Sequence, residues 1–121
     1  MTAMDIPSRT ENGVLILSPV GRVDQAHAEA FSAAVEPFLA DCRAGGTPIV
    51  LDFAGVEYIS SVGLRALMVA SRKAASQQGC IVIAALSPLV HEVFEISRFN
   101  LVLKVYENVA AAVAAAVGKP A

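Results

Sequence analysis

Hydrophobic positions along the chain follow two periods that alternate with each other. Val14 to Val20, Ile49 to Phe53, Cys80 to Ala85 and Leu101 to Tyr106 are short runs, largely apolar and of strand length. Runs that are apolar on both faces suit strands buried between layers. Between them the apolar residues recur at helical spacing. Phe31, Ala34, Val35, Phe38, Leu39 and Cys42 fall at i, i+3, i+4, i+7, i+8 and i+11; Leu64, Leu67, Met68, Ser71 and Ala75 trace a second face; Val90, Val93, Phe94 and Ser97 trace a third. Asn108 to Val117 predicts a final Ala/Val-rich helix ended by Gly118, and Met4 to Arg9 a weak edge strand.

Breakers punctuate the same pattern. Glu11-Asn12-Gly13 carries the Asn-Gly signal of a tight turn and predicts an N-terminal hairpin. Gly45-Gly46 and Thr47-Pro48 close the first helix, and Gln78-Gly79 the second. Ser87-Pro88 opens the third, with serine as cap and proline in the first turn. Pro37 lies inside the first helical pattern, which starts near Gln25; it removes a backbone donor and predicts a kink near Ala33 or two shorter helices. Strands alternating with helices give an α/β fold: a central mixed β-sheet of four to five strands, antiparallel at its N-terminal part, packed against about four α-helices. The 121 residues suffice for one core but not two, so a single domain over 1–121 is expected, with its core about 13–117.

The stretch Tyr58-Ile59-Ser60-Ser61-Val62-Gly63-Leu64 joins a strand region to the second helix. A helix start leaves N–H groups without intrahelical partners and concentrates partial positive charge, so hydroxyls and anions are favoured there. Either serine can serve as a cap, which alone stabilises a helix by about 0.5–2 kcal/mol relative to alanine. Asp24, after Gly21-Arg22-Val23, can likewise serve as the N-cap of the first helix. Asp52, at the end of the Ile49 strand, reads as a structural carboxylate.

Composition narrows the function. Hydrophobic residues make up 55% and charged residues 17%, which is the balance of a chain that folds around a core. The formal charge is −2 and the nearest approach to a basic cluster is Arg65, Arg72 and Lys73, a solvated helix face, so no nucleic-acid partner is expected. No apolar run spans a bilayer and Met1 to Thr10 is no signal peptide, so no membrane insertion and a cytoplasmic location are expected. Cys42 and Cys80 lack CxxC spacing and read as reduced, largely buried thiols; no metal and no cofactor are expected. A catalytic serine is disfavoured because Ile59 stands where a nucleophile elbow has glycine, and neither His27 nor His91 is placed near Ser61 by the sequence.

The segment Leu51 to Leu67, with Cys80 to Pro88 and Val93 to Ser97, resembles the STAS domains, the family of bacterial anti-sigma factor antagonists and of the cytoplasmic tails of sulfate transporters. The resemblance implies a partner-switching regulator: the unphosphorylated chain binds an anti-sigma factor that is itself a serine kinase and frees a sigma factor, and a serine phosphatase resets the switch. ATP and magnesium would belong to the kinase. Carried over by position, the phosphorylated residue is Ser61, with Ser60 as the alternative because it stands where many relatives have aspartate. The implied partner-binding residues are Asp24, Ser60, Ser61, Val62, Gly63, Leu64 and Arg65. The family also implies an alternative, a STAS regulatory subunit of an ABC-type lipid or anion transport system. The oligomeric state is left open.

Overall fold

The structure is a computed structural model that describes residues 6–117. Strands β1 (Ser8–Glu11) and β2 (Val14–Leu17) form the predicted hairpin, with Asn12 and Gly13 at φ of 51° and 79° in the turn. Positive φ at both central residues matches the right-handed twist of the flanking strands. The remaining elements are β3 (Gly21–Val23), α1 (Ala28–Leu39), β4 (Ile49–Asp52), β5 (Val56–Ile59), α2 (Ser61–Ser76), β6 (Ile81–Ala84), α3 (Pro88–Ile96), β7 (Val105–Tyr106) and α4 (Val109–Val117), with a 3-10 turn at Phe99–Leu101.

The main sheet has the order β1-β2-β4-β6-β7; β1 is antiparallel to β2 and every other pair is parallel. This is the mixed sheet the pattern predicts, with five strands and four helices. The period of two along each strand decides the layers. Leu17, Ile49, Leu51 and Ile83 face one way, against Phe31 and Val35 of α1, Leu67 and Ala74 of α2, and Phe94 of α3. Val14, Ile16, Val50, Val82 and Ala84 face the other way, where α4 supplies Ala112, Val113 and Ala116. The near-continuous apolar runs of β2, β4 and β6 are therefore buried on both sides.

Several expectations are corrected. The run from Val14 stops as a strand at Leu17, and Gly21–Val23 leaves the main sheet to pair with β5 in a separate parallel two-stranded sheet. Met4 and Asp5 lie outside the described residues, as does Gly118, and the first strand starts at Ser8. Of the two outcomes expected from Pro37, two shorter helices are not formed: α1 is one helix from Ala28 to Leu39, beginning later than Gln25. The donor missing at Pro37 would have met the Ala33 carbonyl, and both residues are exposed, so that carbonyl is open to solvent rather than buried without a partner. The run from Leu101 to Tyr106 is strand only at Val105–Tyr106. Arg98, at φ 59°, turns the chain into the 3-10 segment instead, and Phe99 packs edge-on against Phe94 with ring centroids 5.2 Å apart.

Candidate functional site

The junction predicted to matter is built by two short strands and one helix start. β5 delivers the chain with Ile59 buried, and the Ser60 N–H donates to the Val23 carbonyl at the end of β3 (3.1 Å). Ser60 has extended backbone (φ −94°, ψ 175°), its Oγ accepts from the Gly63 N–H at 3.2 Å, and its carbonyl accepts from Leu64 at 2.8 Å. Ser60 is thus the N-cap of α2. Ser61, one residue on, is the first residue of the helix; it is exposed, and its hydroxyl makes no hydrogen bond among the described residues.

Gly63 explains how the helix start fits so closely over β3. A Cβ at that position would lie 2.2 Å from the Val23 carbonyl oxygen and 2.7 Å from Ile59 Cγ1. Only glycine permits this approach without displacing backbone.

Val23 also places Asp24 beside the junction, although no hydrogen bond joins the Asp24 carboxylate to Ser60 or Ser61. The Asp24 carboxylate bonds to His27 Nδ1 at 2.6 Å and accepts from Arg22 Nε at 3.1 Å. The hydrogen bond to His27, with further help from Arg22, holds this carboxyl below the usual range, so it carries full charge at neutral pH. The side chain does not cap α1. His27 occupies the N-cap position, and it is the Asp24 backbone carbonyl that receives the N–H groups of His27 and Ala28. Arg22 in turn lies over the Tyr58 ring, 4.7 Å from its centroid, which ties β3 to β5 across their outer face.

Ser61, Val62, Leu64, Arg65 and Met68 line a shallow depression of about 430 Å³ together with Phe99. Four of the predicted site residues therefore share one surface, while Ser60 and Gly63 hold its backbone in place. Phe99 was missed. Its signal was faint: one aromatic two residues before the Leu101–Tyr106 run that reads as a strand. Val62 is 43% exposed, and Ile96, Leu101 and Val102, which flank Phe99 in sequence, are exposed as well.

The other candidates lie apart. Asp52 accepts from Ser18 Oγ (3.3 Å) and from the Ala54 N–H (3.0 Å), the satisfied structural carboxylate expected. His91 faces Glu95 at 3.7 Å in a different depression, lined also by Lys104 and Tyr106. Neither histidine bonds to Ser60 or Ser61. The described residues bring no three of His, Cys, Asp and Glu close enough to hold a metal ion, and contain no helix long and apolar enough to cross a membrane.

Comparison with known proteins agrees with this architecture. BtrV of Bordetella bronchiseptica, whose name places it provisionally among the anti-sigma factor antagonists, is 38% identical over 104 residues, spanning 86% of this chain and 87% of BtrV. Among solved structures, an anti-sigma factor antagonist candidate from Thermotoga maritima superposes with a TM-score of 0.82 at 22% identity, over 92% of this chain and 93% of that one. SpoIIAA of Bacillus, an anti-sigma factor antagonist, has been solved in both phosphorylation states. The unphosphorylated form gives a TM-score of 0.73 at 16% identity, over 95% and 98% of the two chains. At these identities the structural likenesses establish the fold. The sequence itself matches the STAS domain over residues 5–112, and the chain belongs to the STAS domain family.

Proposed function

We propose that this protein is an anti-sigma factor antagonist, switched off by phosphorylation of Ser61. The observation that carries the reading is the division of labour between the two serines. Ser60 spends its oxygen on the Gly63 N–H, whereas Ser61 presents an exposed hydroxyl with no partner at the first residue of α2. A kinase can reach that oxygen without dismantling the cap.

The chemistry suits the place. Transfer of the ATP γ-phosphoryl group to Ser61 Oγ releases ADP and the hydroxyl proton. It adds about 1.5–2 negative charges and three strong acceptors. The helix N-terminus accommodates that charge, because its free N–H groups and macrodipole favour anions. The fold then survives while the surface around Val62, Leu64 and Arg65 changes sign, and a partner seated there is lost through repulsion and desolvation. In this reading the partner is an anti-sigma factor serine kinase in the cytoplasm, and a serine phosphatase restores binding. Asp24 would recognise the kinase from beside the junction. The relatives named as anti-sigma factor antagonists support the class of function.

The test is capture from the native host with Ser61→Ala as bait, followed by phosphorylation of the wild-type chain by whatever kinase is retained. An ATP-binding kinase of the anti-sigma type is expected, with phosphate on the wild type and none on Ser61→Ala. Asp24→Asn should be phosphorylated more slowly with little change in melting temperature, since its two partners are exposed and screened by water. Recovery of an ABC ATPase in place of the kinase would overturn the reading and make the chain a transport regulator.

A further inference from the structure

The free edge of β1 carries a pattern that the switch does not use. In the β1–β2 hairpin, Ser18 N–H donates to the carbonyl of Pro7, directly opposite it in the register that pairs Ser8 with Leu17 and Glu11 with Val14. Hydrogen-bonded pairs alternate along an antiparallel ladder, so Arg9 and Glu11 also bond towards β2. Leu15, opposite Thr10, confirms the phase by donating to Pro48 on the β4 side. The N–H and C=O groups of Ser8 and Thr10 therefore point outward, away from the sheet, and no other described group bonds to them. All four β1 residues are exposed. Proline, the usual edge blocker, is absent from this outward row: Pro7 lies in the inward-facing phase, where its carbonyl is used.

Charges on a free edge oppose pairing when like meets like. Here a two-fold axis through Thr10 does the opposite. Antiparallel pairing of two copies in that register sets Thr10 against Thr10 as a doubly hydrogen-bonded pair, and sets Arg9 of each copy against Glu11 of the other. Arg9 and Glu11 share the sheet face of Ile16 and Val14, and within one chain they already form a 2.8 Å ion pair with both side chains about half exposed. Between copies they would meet as opposite charges at the closer, non-hydrogen-bonded positions of the ladder.

We infer that β1 is a self-complementary edge through which two copies of this chain pair antiparallel about Thr10, extending the two five-stranded sheets into one. The arrangement is isologous, each edge supplying the same surface. Four exposed residues a side fall well short of the roughly 1,200 Å² of a stable interface, so the dimer is of the weak, concentration-dependent kind. The Ser61 end of α2 takes no part in this edge, so pairing and partner switching are separable.

Sedimentation equilibrium up to millimolar concentration tests this. The wild-type weight-average mass should rise from 12.6 kDa towards twice that value. Arg9→Glu and Glu11→Arg should each stay monomeric, because each places like charges opposite one another. An equimolar mixture of the two should associate, and the doubly exchanged chain Arg9→Glu/Glu11→Arg should pair with itself. Thr10→Pro, which removes only an outward donor, should be monomeric with unchanged circular dichroism. A wild type that remains at 12.6 kDa throughout, or single charge variants that associate as well as the wild type, overturns the proposal.

Discussion

The two ends of α2 are built on opposite plans. At its N-terminus the helix leaves Ser61, Val62 and Arg65 exposed; it is anchored there by the Ser60 cap, the Ser60 N–H on the Val23 carbonyl, the close seat of Gly63 over Val23 and the buried Leu64 side chain. At its C-terminus it is bolted to the end of α1. Gln77 Nε2 donates to the carbonyls of both Leu39 and Cys42 at 2.8 Å, and Ala44 N–H donates back to the Gln77 carbonyl at 2.9 Å. Cys42 Sγ reaches the Cys80 carbonyl at 3.3 Å. Burial pushes that thiol's pKa up to about 11, so it stays protonated and able to donate. One end is an accessible surface and the other a joint. The difference teaches how a surface could be rewritten by the proposed modification without the helix moving: the exposed hydroxyl of Ser61 makes no hydrogen bond that such a change would break, and the far end of the helix is held independently a full helix length away.

Alanine in place of each end's glycine should separate the two plans by the largest margin. A Cβ on Gly79 would meet only backbone, at 2.2 Å from the Cys42 oxygen, 2.4 Å from its carbonyl carbon and 2.8 Å from Arg43 N. Nothing there is the end of a flexible side chain, so Gly79→Ala should cost about 3 kcal/mol or more. Gly63→Ala also meets a carbonyl at 2.2 Å, but it belongs to the short strand β3 in a two-stranded sheet, and the next neighbour is the Ile59 side chain. Relaxation there, with about 1 kcal/mol gained from alanine's helix propensity, should keep the loss near 1–2 kcal/mol. Urea melts of both variants check the order; a larger loss at Gly63 would mean the N-terminal end is the more rigid.

Gln77→Leu tests the joint itself. It removes two donated hydrogen bonds and leaves the carbonyls of Leu39 and Cys42 in a partly buried place, which costs about 1–3 kcal/mol. Phosphorylation of Ser61 should continue at the wild-type rate in this variant, since the exposed end does not rely on the joint. A loss of phosphorylation matching the loss of stability would show that the two ends are coupled.

Much of this was legible from the order of residues. The face of α1 follows from periodicity, because the burial of Phe31, Val35 and Leu39 is fixed by helix geometry and a sheet to cover. On α2 the expected face holds at Leu64 and Leu67 but is corrected beyond them, where Ala70 and Ala74 are buried, Ser71 is half-buried and Ala75 is exposed, since small alanines carry no strong apolar signal against their neighbours. The apolar runs of β2, β4 and β6 could be read as buried strands but not assigned to faces, since both sides are apolar and both are covered. What escaped is non-local. β5 has buried residues only at its two ends, Val56 and Ile59, so no period marks it; its pairing with β3 is decided by the Ser60–Val23 and Arg22–Tyr58 contacts. Gln77 is a polar residue at a helix end, and nothing local announces that its amide spans two carbonyls at and just beyond the end of another helix. Asp24 could be read as a cap from its place before α1, and that reading falls only on where its carboxylate turns, towards His27 and Arg22. The pair Ser60-Ser61 was legible as a helix start, but which serine caps depends on the backbone angle at which β5 hands over to α2.

That last assignment sets the smallest and most discriminating pair of effects. Ser60→Ala removes the oxygen that holds the Gly63 N–H and should lower stability by about 1 kcal/mol. Ser61→Ala removes a hydroxyl with no partner from an exposed position and should change stability by less than about 0.5 kcal/mol. Phosphorylation should divide the other way, retained by Ser60→Ala and abolished by Ser61→Ala. Thermal melts and phosphate incorporation, read on the same two preparations, give a crossed pattern that neither a general loss of folding nor a general loss of kinase recognition can produce. If Ser61→Ala were the less stable of the two, the cap would be Ser61. The exposed acceptor would then shift to Ser60, and the surface around Val62 and Arg65 would need a different reason to change when phosphate arrives.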